Sequence, residues 1–134
     1  MKKVLIAEDD YYIQEIFLIA FRKAEYNVIL AKDGEEAVEK AKVDVYDVIL
    51  LDIMMPKMNG IEVLRILRAP GSLAQKTPVF LLTNLAQDNI IKEAFDIGAD
   101  GYFIKAQMDP DDVIEELEKY FQDNKQTKSD IKNF

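Results

Sequence analysis

The chain contains no cysteine and no histidine. Without cysteine there are neither disulfides nor thiolate metal sites. Without histidine the commonest general base, the commonest zinc ligand and any Ser-His-Asp triad disappear together. Positive charge is in deficit: 17 Lys and Arg stand against 25 Asp and Glu, for a formal net charge of −8. Such a surface repels phosphate backbones and anionic lipid, and no Lys/Arg run offsets it, so direct nucleic-acid or membrane binding is not expected. Long hydrophobic runs are missing too. The apolar stretch after Met1-Lys2-Lys3 stops at Glu8, too soon for a signal peptide, and nothing reaches transmembrane length; the cytoplasm is the expected location.

What remains is an ordinary globular mixture, 49% apolar and 31% charged over 134 residues, which fits one domain with a full core. Its chemistry is left to carboxylates, hydroxyls and lysine, with or without a hard metal ion.

Apolar runs and helical periodicities alternate along the chain. Val4 to Ala7 is wholly apolar and ends at Glu8-Asp9-Asp10. Ile13, Ile16, Phe17, Ala20 and Phe21 fall on helical spacing. Asn27 to Ala31 reads as a strand, and Asp33-Gly34-Glu35-Glu36 has the spacing of a capping box that opens a helix through about Lys42. Val48-Ile49-Leu50-Leu51 is the most apolar strand and stops at Asp52. A loop through Asn59-Gly60 leads to helical spacing over Ile61 to Leu67, broken at Pro70-Gly71. Val79 to Leu82 ends at Thr83, a helix spans about Gln87 to Ile97 with Gly98 as its cap, and Gly101 to Ile104 ends at Lys105. Asp109-Pro110 opens a last helix expected to stop near Phe121. The pattern predicts an α/β fold, a doubly wound five-stranded parallel sheet with helices on both faces. Residues 1–122 form the expected domain, followed by a polar, frayed tail over 123–134.

In a parallel sheet all strands leave the core at one edge. That rule gathers Glu8, Asp9, Asp52, Thr83 and Lys105 on one rim, with Asp9 and Asp52 facing each other where the winding reverses, between the first and third strands. Carboxylates crowded there repel one another unless cations sit among them. Lys105 supplies one. Mg²⁺, which takes oxygen ligands and few carboxylates, suits the second role better than zinc. Asp52, at the end of the most buried strand, is the candidate nucleophile for an acyl phosphate. Phosphoryl transfer needs positioning and charge neutralisation above all, which Lys105, the Thr83 hydroxyl and a metal ion would provide. Asp10 reads better as a helix cap than as a ligand.

VLIAEDD, DVILLDIMMPKMNG, PVFLLTN and GADGYFIK, in this order and at these intervals, resemble the response-regulator receiver family over about residues 2 to 122. The resemblance implies a flavodoxin-like (βα)5 fold with strand order 2-1-3-4-5. It implies Asp52 as phosphoacceptor and Mg²⁺ held by Asp9, Asp52 and the Met54 backbone carbonyl, with Glu8 acting through water. Lys105 would contact the phosphoryl group, Thr83 would move toward it, and Tyr102 would turn inward as Thr83 moves. The face formed by the fourth helix, fifth strand and fifth helix would then bind a downstream protein target. A homodimer through that face stays open. The phosphodonor would be a histidine kinase or a histidine phosphotransfer protein, since this chain has no imidazole of its own.

The chain departs from the family pattern at three positions. Glu8 stands where aspartate is frequent. Ala106 replaces the proline that usually follows the lysine, which puts that bond's cis form in question. Asn84 follows Thr83 where a small residue is common, and slowed phosphoryl turnover is the expectation. An aspartate-nucleophile phosphatase of the haloacid-dehalogenase type is disfavoured, because Met54 occupies the position of its second aspartate. A phosphorylation-independent binding module on the same fold is the third reading. Met1 and the loose tail fit a stand-alone regulator; the isolated receiver of a longer protein is the alternative.

Overall fold

The computed structural model describes residues 1–84 and 87–132, with 125–132 as helix backbone only. Its strands are β1 (Lys3–Ala7), β2 (Asn27–Ala31), β3 (Val48–Asp52), β4 (Val79–Thr83) and β5 (Gly101–Ile104). Between and after them lie α1 (Tyr11–Lys23), α2 (Gly34–Val43), α3 (Gly60–Leu67), α4 (Asp88–Ile97) and α5 (Pro110–Lys132). All strand pairings are parallel, in the order β2-β1-β3-β4-β5, so the expected sheet and strand order are both present.

Strand alternation divides the core in two. Leu5, Ala7, Ile49, Leu51 and Leu81 face one way and meet the apolar sides of α2, α3 and α4 through Val38, Val63, Leu64 and Ala94. Val4, Ile6, Val48, Leu50 and Leu82 face the other way, onto Phe17 and Phe21 of α1 and Val113 and Leu117 of α5. Every residue of β3 and β4 is buried, which is why those strands read as unbroken apolar runs. Shielding each such Val, Ile or Leu is worth about 1.5–3 kcal/mol, so the central strands make a stiff frame for the residues at their ends.

Helix starts follow their caps. Asp10 accepts from the Ile13 amide at 3.1 Å, and α1 therefore begins at Tyr11, ahead of its first apolar-periodic residue. Asp33 accepts from the Glu36 amide at 2.8 Å, as the capping-box spacing predicts. Asn59 does the same for Glu62 at 2.9 Å and Asp109 for Asp112 at 2.9 Å. The last helix departs from expectation: it runs past Phe121 to Lys132. No proline or glycine interrupts residues 122–132, so polarity alone does not stop it. The side chains expected to form a frayed tail beyond Asn124 lie outside the described residues.

At the amino ends of the strands, Arg68 donates to the Gly98, Ala74 and Thr77 carbonyls and pairs with Asp100 at 3.0 Å. One guanidinium thereby ties the α3–β4 and α4–β5 connections together, and sequence analysis had not singled it out. No helix among the described residues is long and apolar enough to cross a membrane.

Candidate functional site

β1 lies between β2 and β3, so consecutive connections leave it toward opposite sides of the sheet. The resulting crevice opens at the carboxyl ends of β1 and β3, and the predicted residues gather there. Ligand oxygens of Glu8, Asp9 and Asp52 all lie within 4.8 Å of one another. Glu8 and Asp52 are shielded, 1% and 4% exposed, whereas Asp9 faces solvent.

Lys105 enters this cluster from the end of β5. Its Nζ donates to Asp52 Oδ2 at 2.9 Å and stands 2.6 Å from Glu8 Oε2. The second contact is an ion pair whose angles fall outside hydrogen-bond geometry, which leaves Glu8 Oε2 buried without a hydrogen bond among the described residues. The other carboxylate oxygens are oriented by backbone. Glu8 Oε1 accepts from the Asp10 amide at 3.1 Å, and Asp52 Oδ1 from the Met54 amide at 3.2 Å. The Met54 side chain is 73% exposed, so what Met54 offers the site is its backbone.

One cation serving two buried carboxylates leaves the site short of positive charge. Burial pushes the Glu8 carboxyl up to about 7; Lys105 opposes the shift and the Asp52 charge adds to it. Burial likewise raises Asp52 above the ordinary aspartate range, against the pull of Lys105. Burial works to lower Lys105, but its contacts with Glu8 and Asp52 win and its affinity for the proton rises. The stability consequence has a definite sign. Between 4.5, the ordinary glutamate value, and about 7 the folded chain binds more protons at Glu8 than the unfolded chain does. Metal-free stability therefore falls as pH rises through that interval, by roughly 3 kcal/mol from this group. Glu8→Gln, measured against the parent by urea unfolding without metal, is expected to be the more stable above pH 7, with the difference shrinking as pH falls and vanishing below the ordinary glutamate value of 4.5. A difference independent of pH contradicts this assignment.

Thr83 closes β4 in a buried position, and its carbonyl accepts the Lys105 amide at 2.8 Å, which sets where the lysine leaves the sheet. Asn84 beside it is exposed. Tyr102 is 40% exposed, and its ring meets Phe95 of α4 edge-on at 6.3 Å, on the sheet face opposite Phe103. The Lys105–Ala106 bond is trans, as no cis peptide occurs among the described residues. The Glu8 carboxyl is buried and pairs directly with Lys105 in the metal-free chain.

The model of the response regulator receiver domain matches residues 4–118. This chain belongs to the response-regulator receiver family. As a receiver it is the signalling module of two-component systems. Among curated proteins it is 32% identical over 123 residues to the transcriptional regulatory protein CrdR of Helicobacter pylori, a match covering 92% of this chain and 56% of CrdR. The receiver spans about half the length of the curated relatives it matches. Among solved structures it resembles chemotaxis protein CheY4 of Vibrio cholerae, with TM-score 0.82, 31% identity and coverage of 89% and 98% of the two chains. The receiver domain of sensor histidine kinase PA1611 from Pseudomonas aeruginosa, solved with a magnesium ion coordinated in the active site cleft, superimposes with TM-score 0.76 at 27% identity, covering 90% of this chain and 94% of that one.

Proposed function

We propose that this receiver accepts a phosphoryl group on Asp52 from a phosphohistidine donor and thereby changes its affinity for a protein target. The observation that carries the reading is the buried Asp52 carboxylate, fixed at both oxygens by Lys105 and the Met54 amide at the mouth of the crevice. The donor set fits Mg²⁺: carboxylate oxygens within 4.8 Å of one another, a buried Glu8 oxygen held among the described residues by the Lys105 ion pair and not by a hydrogen bond, and no histidine or cysteine in the chain. Asp9, Asp52 and the Met54 carbonyl would hold the ion, with Glu8 beside them. When bound, it would neutralise phosphate oxygens and counter the repulsion among the carboxylates.

The chain's own residues do the rest. An Asp52 oxygen attacks phosphorus as the bond from phosphorus to the donor nitrogen breaks, and the electron pair leaves with the donor imidazole. Lys105 follows the charge from the carboxylate to the incoming phosphoryl oxygens. Thr83 supplies a hydroxyl donor to the same group, and its shift opens the space into which Tyr102 turns from its half-exposed place on Phe95. The face of α4, β5 and α5 is thus biased between two arrangements by a local change of charge. The partners on this reading are a histidine kinase or phosphotransfer protein as donor and a downstream protein at that face. The receiver assists its own phosphorylation and dephosphorylation without being a turnover enzyme.

Incubation with acetyl phosphate and Mg²⁺, followed by intact mass measurement, tests the reading: a single phosphoryl adduct is expected, and none in excess chelator. Adduct formation indifferent to Mg²⁺ contradicts it. Asn84, exposed next to Thr83, is expected to hinder water at the acyl phosphate. Asn84→Ala should shorten the lifetime of the phosphorylated form severalfold in a decay assay; an unchanged lifetime removes Asn84 from the account.

A further inference from the structure

The loop after Asp52 is fastened at two places, and only one of them lies in the strand-end machinery. At its neck the Gly60 amide donates to the Ile53 carbonyl at 2.8 Å, and a Cβ on Gly60 would come within 2.4 Å of the Asp52 carbonyl oxygen. At its apex the Met58 amide donates to the Pro56 carbonyl at 2.8 Å around Lys57, whose φ is +69°. That is a γ-turn of the rare positive-φ form, and a non-glycine residue there is strained. The turn persists because α2 holds it from outside. Gly34, the first residue of α2, lies so close that a Cβ there would stand 2.0 Å from the Met58 carbonyl oxygen. Lys57 Nζ lies 3.7 Å from both Asp33 and Glu35 in the same helix start. Met55, buried between neck and apex, pins the loop to the core.

We propose that Gly34 and Lys57 are positioning residues that press the loop against the first turn of α2 and so preset the Met54 carbonyl for the metal ion. The inference rests on the reading of Asp9, Asp52 and Met54 as the Mg²⁺ site. A backbone carbonyl has no rotamer to adjust, so only the path of its loop decides whether it points at the ion. Gly34 acts through absence: its missing side chain lets the apex sit against α2, and any Cβ must push helix and loop apart. Lys57 keeps the apex in a single strained conformation that a glycine would exchange for several.

Calorimetric titration of the full chain with Mg²⁺ alone, alongside thermal unfolding, tests this. Gly34→Ala is expected to weaken Mg²⁺ about tenfold, the scale on which supports behind metal ligands act. Gly71→Ala is the control for general destabilisation: Gly71 has φ +87° in the α3–β4 connection at the far end of the sheet, with nothing within 4 Å of a Cβ there. It should lower the melting temperature and leave Mg²⁺ affinity within about twofold. Lys57→Gly, which relieves the strain and folds even if Gly34→Ala does not, should weaken Mg²⁺ severalfold while the melting temperature holds or rises. Wild-type affinity in Gly34→Ala or Lys57→Gly overturns the proposal, as does a loss of affinity in Gly71→Ala that tracks its stability. Absence of Mg²⁺ binding by the unmodified chain instead overturns the functional reading, and this inference with it.

Discussion

Asp52→Asn is expected to abolish phosphoryl incorporation and, at the same time, to stabilise the metal-free protein at pH 8. The first effect follows from chemistry: a carboxamide oxygen is too weak a nucleophile to form the acyl phosphate, and among the described residues no acid apart from Glu8 is also both buried and paired with Lys105 at the crevice. The second follows from the electrostatics. Lys105 serves two carboxylates that burial has already made reluctant to ionise. Removing one charge lets Lys105 neutralise the other, and the value of about 7 at Glu8 should move back toward the ordinary range, although burial, its largest cause, remains. The variant should therefore be less phosphorylatable and more stable, with weaker Mg²⁺ binding. Loss of phosphorylation together with a loss of stability at pH 8 would point to a structural role for Asp52 instead.

Lys105→Met should be the most damaging single change to the metal-free fold. It strands Glu8 and Asp52 opposite each other inside a nearly dry site; removing one partner of a buried pair costs about 3–5 kcal/mol. Proton uptake by one carboxyl relieves part of that cost, so the loss should be larger at pH 8 than at pH 6. Mg²⁺ should restore stability more in Lys105→Met than in the parent, because the ion replaces the missing cation. Denaturant unfolding at both pH values, with and without Mg²⁺, measures all of this. Equal destabilisation at the two pH values would show that Lys105 contributes packing rather than charge.

The sheet was legible because β3 and β4 are buried on both faces and so carry no polar residue until their last positions, Asp52 and Thr83. The site was legible for the same reason: a parallel sheet converts strand ends that are remote in sequence into neighbours. Asp10 could be told from a ligand because it precedes a helical period by the spacing of a cap, and the Ile13 amide is indeed where its carboxylate points. Other features left no local signal. The division of Lys105 between Glu8 and Asp52 depends on how far each side chain reaches across the crevice, which no spacing encodes. Gly34 looks in sequence like the second residue of a capping box; its contact with Met58 joins a helix start to a loop that only the fold brings beside it. Arg68 looks like the charged end of a helix, yet it serves three carbonyls from two connecting segments. Polarity does not mark the end of α5: with no breaker after Phe121, helix propensity carries the backbone on to Lys132.

Locating the phosphoryl group is the most direct test of the central claim. The protein phosphorylated by acetyl phosphate and Mg²⁺ would be reduced with borohydride, which converts an aspartyl phosphate to the alcohol, and its peptides mapped by mass. Reduction at Asp52 and at no other acid is the predicted result. A label on Glu8, on Asp9 or on a hydroxyl side chain, with Asp52 unmodified, would contradict the account.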